Sequence, residues 1–360
     1  MPDKESPIDA CRSILRFMRE AEGEGILKPE IREGLLEDLC AKCGQVGTTL
    51  RATFLAEGLY HSASERLRDL YDFNLFDSAK LAELPSHIRT YANIGFVTVI
   101  RAEHKALLYT LGRNSNDQDF ISHEQFRYWS GSIRRSDSSL LSYVLTMVGE
   151  PRNVPCALAV QSLLSHYSVD LLVLVGIAAG PHKKVDLGDA IGIDAVYDYE
   201  HVRAEICGGE SIEKPRPEWL RIEPKMRNDL AYFDGEGTNS NFKRLVGSVP
   251  ADWIPPDVTR ASLSPKYAKG TAAAGERLFA DGYMDKMWQY DERIRAGDME
   301  DSGFAQAASF YKVPWVIFRG IADFGDPHKD SKWHLIASLS ASSAALAFLT
   351  QSYRLPISTL

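Results

Sequence analysis

Four consecutive β-branched or aromatic residues, Trp315-Val316-Ile317-Phe318, constrain this chain most, because such a run fits a strand covered on both faces. The run continues into Arg319-Gly320-Ile321-Ala322-Asp323-Phe324-Gly325-Asp326, so the strand delivers glycines and two carboxylates at its end. Strands of this kind belong to mostly parallel sheets flanked by helices, whose ligands bind beyond the carboxyl ends of the strands. Asp323 and Asp326 therefore stand where chemistry is done or, on the plainer reading, where acids cap the helix beginning near Ser331.

Similar runs recur upstream, each followed by a helical pattern. Residues 94–100 read as a strand, after which Glu103 opens a helix carrying Ala106, Leu107, Leu108 and Leu111. Residues 126–133 read as a hairpin turning at Gly131, residues 140–147 as a strand ending at Gly149, and residues 154–164 as a helix. The most apolar run, residues 171–175, ends in Gly176-Ile177-Ala178-Ala179-Gly180, small residues that admit a ligand close to the backbone. Residues 190–196 form a further candidate strand. Alternating strands and helices indicate an α/β domain over residues 93–355, with a charged, proline-rich insertion at 198–266 that reads as irregular, either a lid or mobile surface. Residues 1–90 carry only helical periodicity. They read as an all-helical sensing, partner-binding or oligomerisation domain, or as an extension packed on the main domain.

A formal net charge of -8 argues against broad nucleic-acid binding, while leaving room for a local basic pocket. No apolar run approaches the roughly 20 residues that cross a bilayer, and Met1-Pro2-Asp3-Lys4-Glu5-Ser6 lacks a signal-peptide core, so a cytoplasmic location is expected. Five cysteines do not suggest a secreted disulfide framework, and Cys40 and Cys43 have no second pair with which to complete a zinc site. Neither a metal nor a cofactor is expected.

Three acids lie at strand ends or strand–helix junctions far apart in the chain: Glu103, Glu300 and Asp323. Together with Asp298-Met299-Glu300, the Arg319 to Asp326 segment and the glycine-bounded ends at 176–180 and 270–275, they resemble the purine nucleoside phosphorylase and nucleosidase superfamily. The likeness is strongest to its methylthioadenosine/S-adenosylhomocysteine nucleosidase branch and covers about residues 93–350, with Lys329 and Trp333 resembling an extension seen in long members of the group. The resemblance implies a three-layer domain around a mixed, mostly parallel sheet, and cleavage of a purine N-glycosidic bond through an oxocarbenium-like transition state. A departing purine needs a proton, which a carboxyl group in a dry pocket can supply. By resemblance that acid is Asp323, Glu300 holds the ribose hydroxyls with Met299 against the sugar, and Glu103 activates the attacking water. Asp298 belongs to the same signature. Ala178 and Ala179 are implied on the sugar and water side and Arg277, Leu278 and Phe279 around the base, although Phe279 and Met299 read equally as core. Asp326 keeps the structural role of bracing the loop. The chain departs from the family pattern at Ile177, where phosphorylases place a phosphate-binding serine, and at Ala179 and Ala322. Ile177 favours hydrolysis over phosphorolysis, because an aliphatic side chain cannot donate to an anion.

The helical front and the insertion resemble long members of the superfamily in anti-phage systems, some of which cleave ATP to adenine and ribose triphosphate. ATP is thus the first expectation for the substrate. A triphosphate calls for several cations, and Arg101, Arg134, Arg135, Arg152, His182, Lys183 and Lys184 are the candidates near strand ends. Cleavage of methylthioadenosine or adenosylhomocysteine, phosphorolysis of a purine nucleoside, and a catalytically silent nucleotide sensor are the alternatives. The family implies a homo-oligomer, and the helical domain a signalling partner or ligand.

Overall fold

The computed structural model describes residues 90–353 apart from 115, 201, 208–209 and 278–280. The helical reading of residues 1–89, Cys40 and Cys43 included, lies outside the described residues, as do Leu278 and Phe279. Nearly all described residues fall in one compact unit, Asn93–Leu164 with Val169–Pro356. Among the described residues no helix is long and apolar enough to cross a membrane.

The apolar runs become strands wherever both faces find cover. β1 (Thr90–Thr98) leads into α1 (Arg101–Thr110), followed by β2 (Ile121–His123), β3 (Phe126–Arg134), β4 (Leu140–Met147), α2 (Asn153–His166), β5 (Tyr167–Ala179) and β6 (Ala190–Asp198). The chain then forms β7 (Val202–Cys207), β8 (Glu210–Pro215), β9 (Glu218–Arg221), α3 (Pro224–Tyr232) and α4 (Glu236–Val246). It closes with β10 (Tyr267–Ala274), α5 (Tyr283–Tyr290), β11 (Ile294–Asp298), α6 (Asp301–Phe310), β12 (Trp315–Asp323) and α7 (His334–Gln351).

The large sheet is mixed, ordered β11-β10-β6-β12-β5-β1-β4-β3-β2 with β9 beside β6. β1 and β4, β5 and β12, β6 and β10, and β10 and β11 pair in parallel. β12 runs antiparallel to β6, as do β2 to β3, β3 to β4 and β9 to β6. One antiparallel pair, Gly297 with Ala179, joins β11 back to β5 and closes β5, β12, β6, β10 and β11 into a ring. At its rim Asp298 pairs with Ala274 and Asp323 with Ala179, so the ends of four strands face a common space.

Two local readings change. Residues 126–133 form one continuous strand, not a hairpin, and Gly131 sits inside it because the Tyr143 ring of β4 fills the place of a side chain. The segment 198–266 is not irregular. α4 opens at Gly235, whose φ of 78° suits a residue without Cβ, and it buries Phe242, Leu245 and Val246. These residues join Trp253, Leu263, Ala106 of α1 and Ile336 and Leu339 of α7 in one cluster, so this part of the insertion is core and not a lid. β7 and β8 form a separate two-stranded sheet.

α7 is buried nearly all round and packs on β12 and β6. Its approach depends on Gly320, where a Cβ would overlap the Ala337 carbonyl of the helix backbone. Backbone cannot repack as a side-chain tip can, so Gly320→Ala should lower stability by about 3 kcal/mol or more in urea unfolding. Gly247→Ala, at right-handed φ and ψ with its nearest neighbours at 3.6 Å, should change stability by less than about 0.5 kcal/mol.

Candidate active site

The apolar strand β12 contains one charged residue before its end, Arg319, and its side chain is wholly buried. A guanidinium in such a place needs anions and acceptors around it. Arg319 Nε and Nη2 donate to Asp301 Oδ1 at 3.0 and 2.6 Å, and Nη1 donates to the Ile177 carbonyl at 3.2 Å. Asp298 Oδ2 lies 3.2 Å from Nε, Glu300 Oε2 3.6 Å from Nη2 and Glu103 Oε1 3.9 Å from Nη1. One cation thus gathers four carboxylates from three elements. Gly176 of β5 makes the room, since a Cβ there would run into both Arg319 and Glu103. The glycine expected to admit a ligand instead admits this ion pair.

Three of these carboxylates, and Asp323 beside them, are aimed by main-chain donors, while the Asp301 carboxylate accepts from Arg319. Glu103 Oε2 accepts from the N–H groups of Val99 and Ile100 at 2.7 and 3.0 Å, and Oε1 from Ile177 at 2.9 Å. Asp298 Oδ1 accepts from Glu300 and Asp301, both at 2.8 Å, satisfying donors at the start of α6. Glu300 Oε1 accepts from Arg152 N–H at 3.0 Å, and Arg152 holds a φ of 111°, a conformation that side chains rarely adopt. Asn153 pins the same loop by accepting from Gly303 N–H at 2.7 Å. Asp323, at the tip of β12, accepts from Gly325 N–H at 2.7 Å through Oδ1, while Oδ2 receives no hydrogen bond from the described residues.

A single guanidinium cannot hold four buried carboxylates ionised. Burial raises the Glu103 carboxyl above its ordinary range against the opposing pull of Arg319 and its three N–H donors. Burial likewise lifts Glu300 to about 7, with Arg319 opposing and Asp298 and Glu103 adding to the rise. Asp301 is also pushed upward by burial, against Arg319 and with Asp298. For Arg319, burial favours loss of the proton, but the four acids outweigh it and hold the group charged.

Glu103, Asp298 and Glu300 open onto a cleft of about 380 Å³, while Asp301 stays wholly buried. Of the residues read from the sequence, Glu103, Glu300, Asp323, Asp298, Met299, Ala178, Ala179 and Arg277 all line it. The seven proposed phosphate cations do not. Arg134 and Arg135 are at the wrong end of the sheet: Arg134 pairs with Leu140, the first residue of β4, and β4 runs parallel to β1 with its far end toward the cleft. Arg135 donates instead to the Tyr353 carbonyl at 2.7 Å. His182 stacks on Phe324 and lies 3.2 Å from Asp326 and 3.4 Å from Asp285, which also gives Asp326 its structural role. Lys184 sits over the Trp288 ring, and Lys183 is exposed. Arg152 contributes its N–H to Glu300, and Arg101 is exposed beside the cleft-lining Ile100. Arg319 and Lys329, which the sequence places in the family-like motifs without a site role, belong to the site, as do the tyrosine pair Tyr199 and Tyr283, with ring centroids 5.1 Å apart, and the lining residue His334. An arginine interrupting an apolar strand was the available signal for Arg319.

The shift at Glu300 has a measurable sign. The folded protein keeps this proton up to about pH 7, whereas an unfolded chain releases it near 4.5, so the associated stability is present below 4.5 and lost as pH rises through 7. Glu300→Gln removes the titration. Relative to the parent protein it should gain on the order of 3 kcal/mol between pH 4.5 and pH 8 in denaturant unfolding, and a gain that does not vary with pH would contradict the assignment.

Comparison with known proteins agrees with this geometry. The chain is 27% identical over 263 residues to the ATP nucleosidase Cap17 of Escherichia coli (strain KTE188), covering 71% of this chain and 51% of that protein. It is 23% identical over 222 residues to the uncharacterized protein y4jS of Sinorhizobium fredii, covering 61% and 52%. The chain therefore spans about half the length of the curated relatives it matches. Among solved structures, a methylthioadenosine/S-adenosylhomocysteine nucleosidase from Colwellia psychrerythraea in complex with adenine superposes with a TM-score of 0.52 at 18% identity, covering 72% of this chain and 96% of that one. The corresponding nucleosidase from Neisseria meningitidis gives 0.51 at 13%, covering 72% and 99%. The model of the phosphorylase superfamily matches residues 94–351, the span that contains the sheet, the buried arginine and every acid of the cleft, and the chain belongs to that superfamily.

Proposed function

We propose that this chain is a purine nucleosidase that hydrolyses the N-glycosidic bond of an adenine nucleotide, with ATP as the leading substrate, giving adenine and ribose triphosphate. The observation that carries the reading is the meeting of Glu103, Glu300 and Asp323, up to 220 positions apart in the sequence, on one cleft around Arg319. The 27% identity to an ATP nucleosidase supports the choice of substrate. A role as an effector in anti-phage defence rests on the same likeness.

In this mechanism the bond between C1′ and the purine nitrogen breaks as Asp323 passes its proton to the base. Its Oδ2 is the available oxygen, because Oδ1 is occupied by Gly325. Water adds to C1′ and gives a proton to Glu103, whose carboxylate is fixed by Val99, Ile100 and Ile177. Glu300 takes the ribose hydroxyls, and its own position is fixed by Arg152 N–H. Two carboxyl groups on opposite faces of a sugar follow the logic of glycoside hydrolysis. Tyr199 and Tyr283 offer the cleft an aromatic wall for a purine. Ile177 reaches the site through its backbone N–H and C=O and presents no side-chain donor for a phosphate nucleophile, which favours water.

A nucleotide panel assayed for free base tests the reading. Adenine should appear from ATP at the same rate with and without phosphate, and Asp323→Asn should lower kcat by about 10²- to 10⁴-fold. Pentose 1-phosphate formed only when phosphate is present would overturn hydrolysis. Faster adenine release from methylthioadenosine than from ATP would move the substrate to that of the nucleosidases whose fold it shares.

A further inference from the structure

The cleft is acidic where the ribose would sit, yet Lys329 and His334 also line it. Lys329 lies on the segment joining β12 to α7 and His334 is the first residue of α7, and with Ser331 they form a wall that neither the proton-donor, hydroxyl-binding nor water-activating role uses. Their neighbours leave them available. Asp330 is held by Lys332 at 2.8 Å and Asp326 by His182 at 3.2 Å, while the Lys329 ammonium pairs with no carboxylate among the described residues. The His334 ring is half-buried, and burial lowers its pKa below the ordinary imidazole value against the opposing pull of Asp323 and Asp330, so the ring offers an anion a hydrogen-bond donor while Lys329 supplies the charge.

Three further features suit this wall to an anion. Ile100, immediately before α1, lines the same cleft, and the first turns of α7 pack against α1 through Ile336, Leu339 and Ala106, so two helix amino ends approach one region. Asp323, Lys329 and Asp330 also line a second cavity of about 380 Å³, whose wall carries the basic residues His182, His328 and Lys332 together with the acids Asp257 and Asp326. A ligand longer than a nucleoside therefore has space to extend beyond Asp323. The remaining basic residue on the cleft, Arg277, is already 3.7 Å from Glu200 and lies on the segment after β10.

We propose that Lys329 and His334 receive the phosphate chain of a purine 5′-nucleotide, and that this pair sets the preference for a nucleotide over an uncharged nucleoside. The inference rests on the nucleosidase reading for the placement of base and ribose. A charged contact made only by the phosphate chain acts on one substrate and not the other.

The test uses the full chain with ATP and adenosine, following both turnover and calorimetric binding, in the parent protein and in Lys329→Met, Lys329→Arg and His334→Gln. The ratio of kcat/KM for ATP to that for adenosine should fall at least tenfold in Lys329→Met, mainly through KM, and recover in Lys329→Arg. His334→Gln should lower the ratio in the same direction. Equal losses for both substrates, or an unchanged ratio, would overturn the anion site while leaving the nucleosidase reading intact. If neither compound is cleaved but ATP binds and Lys329→Met selectively weakens it, the anion site stands and the nucleosidase reading fails. Absence of ATP binding to the parent protein would overturn the anion site outright.

Discussion

Arg319 and its four carboxylates are mutually dependent. A buried guanidinium without anions, or buried acids without the guanidinium, would carry a desolvation penalty of several kcal/mol per ion, which only close pairing and hydrogen bonding offset. The pairing is not balanced in charge, and the upward shifts at Glu103, Glu300 and Asp301 are its consequence. The fold must therefore fix the arginine rigidly. It does so by placing Arg319 in the middle of a strand paired on both sides, with β5 in parallel and β6 antiparallel.

The sheet ring serves the same end. Joining β11 back to β5 at Gly297 and Ala179 brings Asp298 and Glu300 across to the side where β5 and β12 deliver Ala179 and Asp323. An open sheet would hold the β10–β11 edge away from β5, since neighbouring strands lie about 4.8 Å apart and three strands intervene. Glu103 enters from α1, which follows β1, the neighbour of β5 on the other side, and reaches Arg319 only because Gly176 leaves a gap between them. Secondary structure, small residues and ionic pairing thus converge on one cleft that combines a fixed cation, acids whose proton affinity burial raises, and an aromatic wall.

Much of this was legible in the sequence, for definable reasons. Uninterrupted apolar runs such as residues 171–175 and 315–318 mark strands buried on both faces, and the acids just beyond strands mark the cleft rim, which is how Asp323, Glu300 and Glu103 were found. The segment 236–246 was not legible, because Gly237, Thr238, Asn239, Ser240 and Asn241 in its first two turns read as loop while its three buried apolar residues are crowded at the end. Gly131 misled as a turn, since the sequence does not show that a cross-strand tyrosine occupies its missing side chain. Arg134 and Arg135 lie away from the cleft for a different reason. Proximity to a strand end does not say which end of the sheet it is, and only strand direction separates Arg134 from the cleft that Lys329 lines.

The central claim is that one arginine-centred cluster of acids positions a purine nucleotide for loss of its base to Asp323. The most direct measurement is a crystal structure of the Asp323→Asn protein with uncleaved ATP. The ribose hydroxyls should lie on Glu300, the purine within hydrogen-bond reach of position 323, about 3 Å, and a water held by Glu103 on the opposite face of C1′. A nucleotide bound away from this cleft, or one whose ribose turns its hydroxyls away from Glu300, would contradict it.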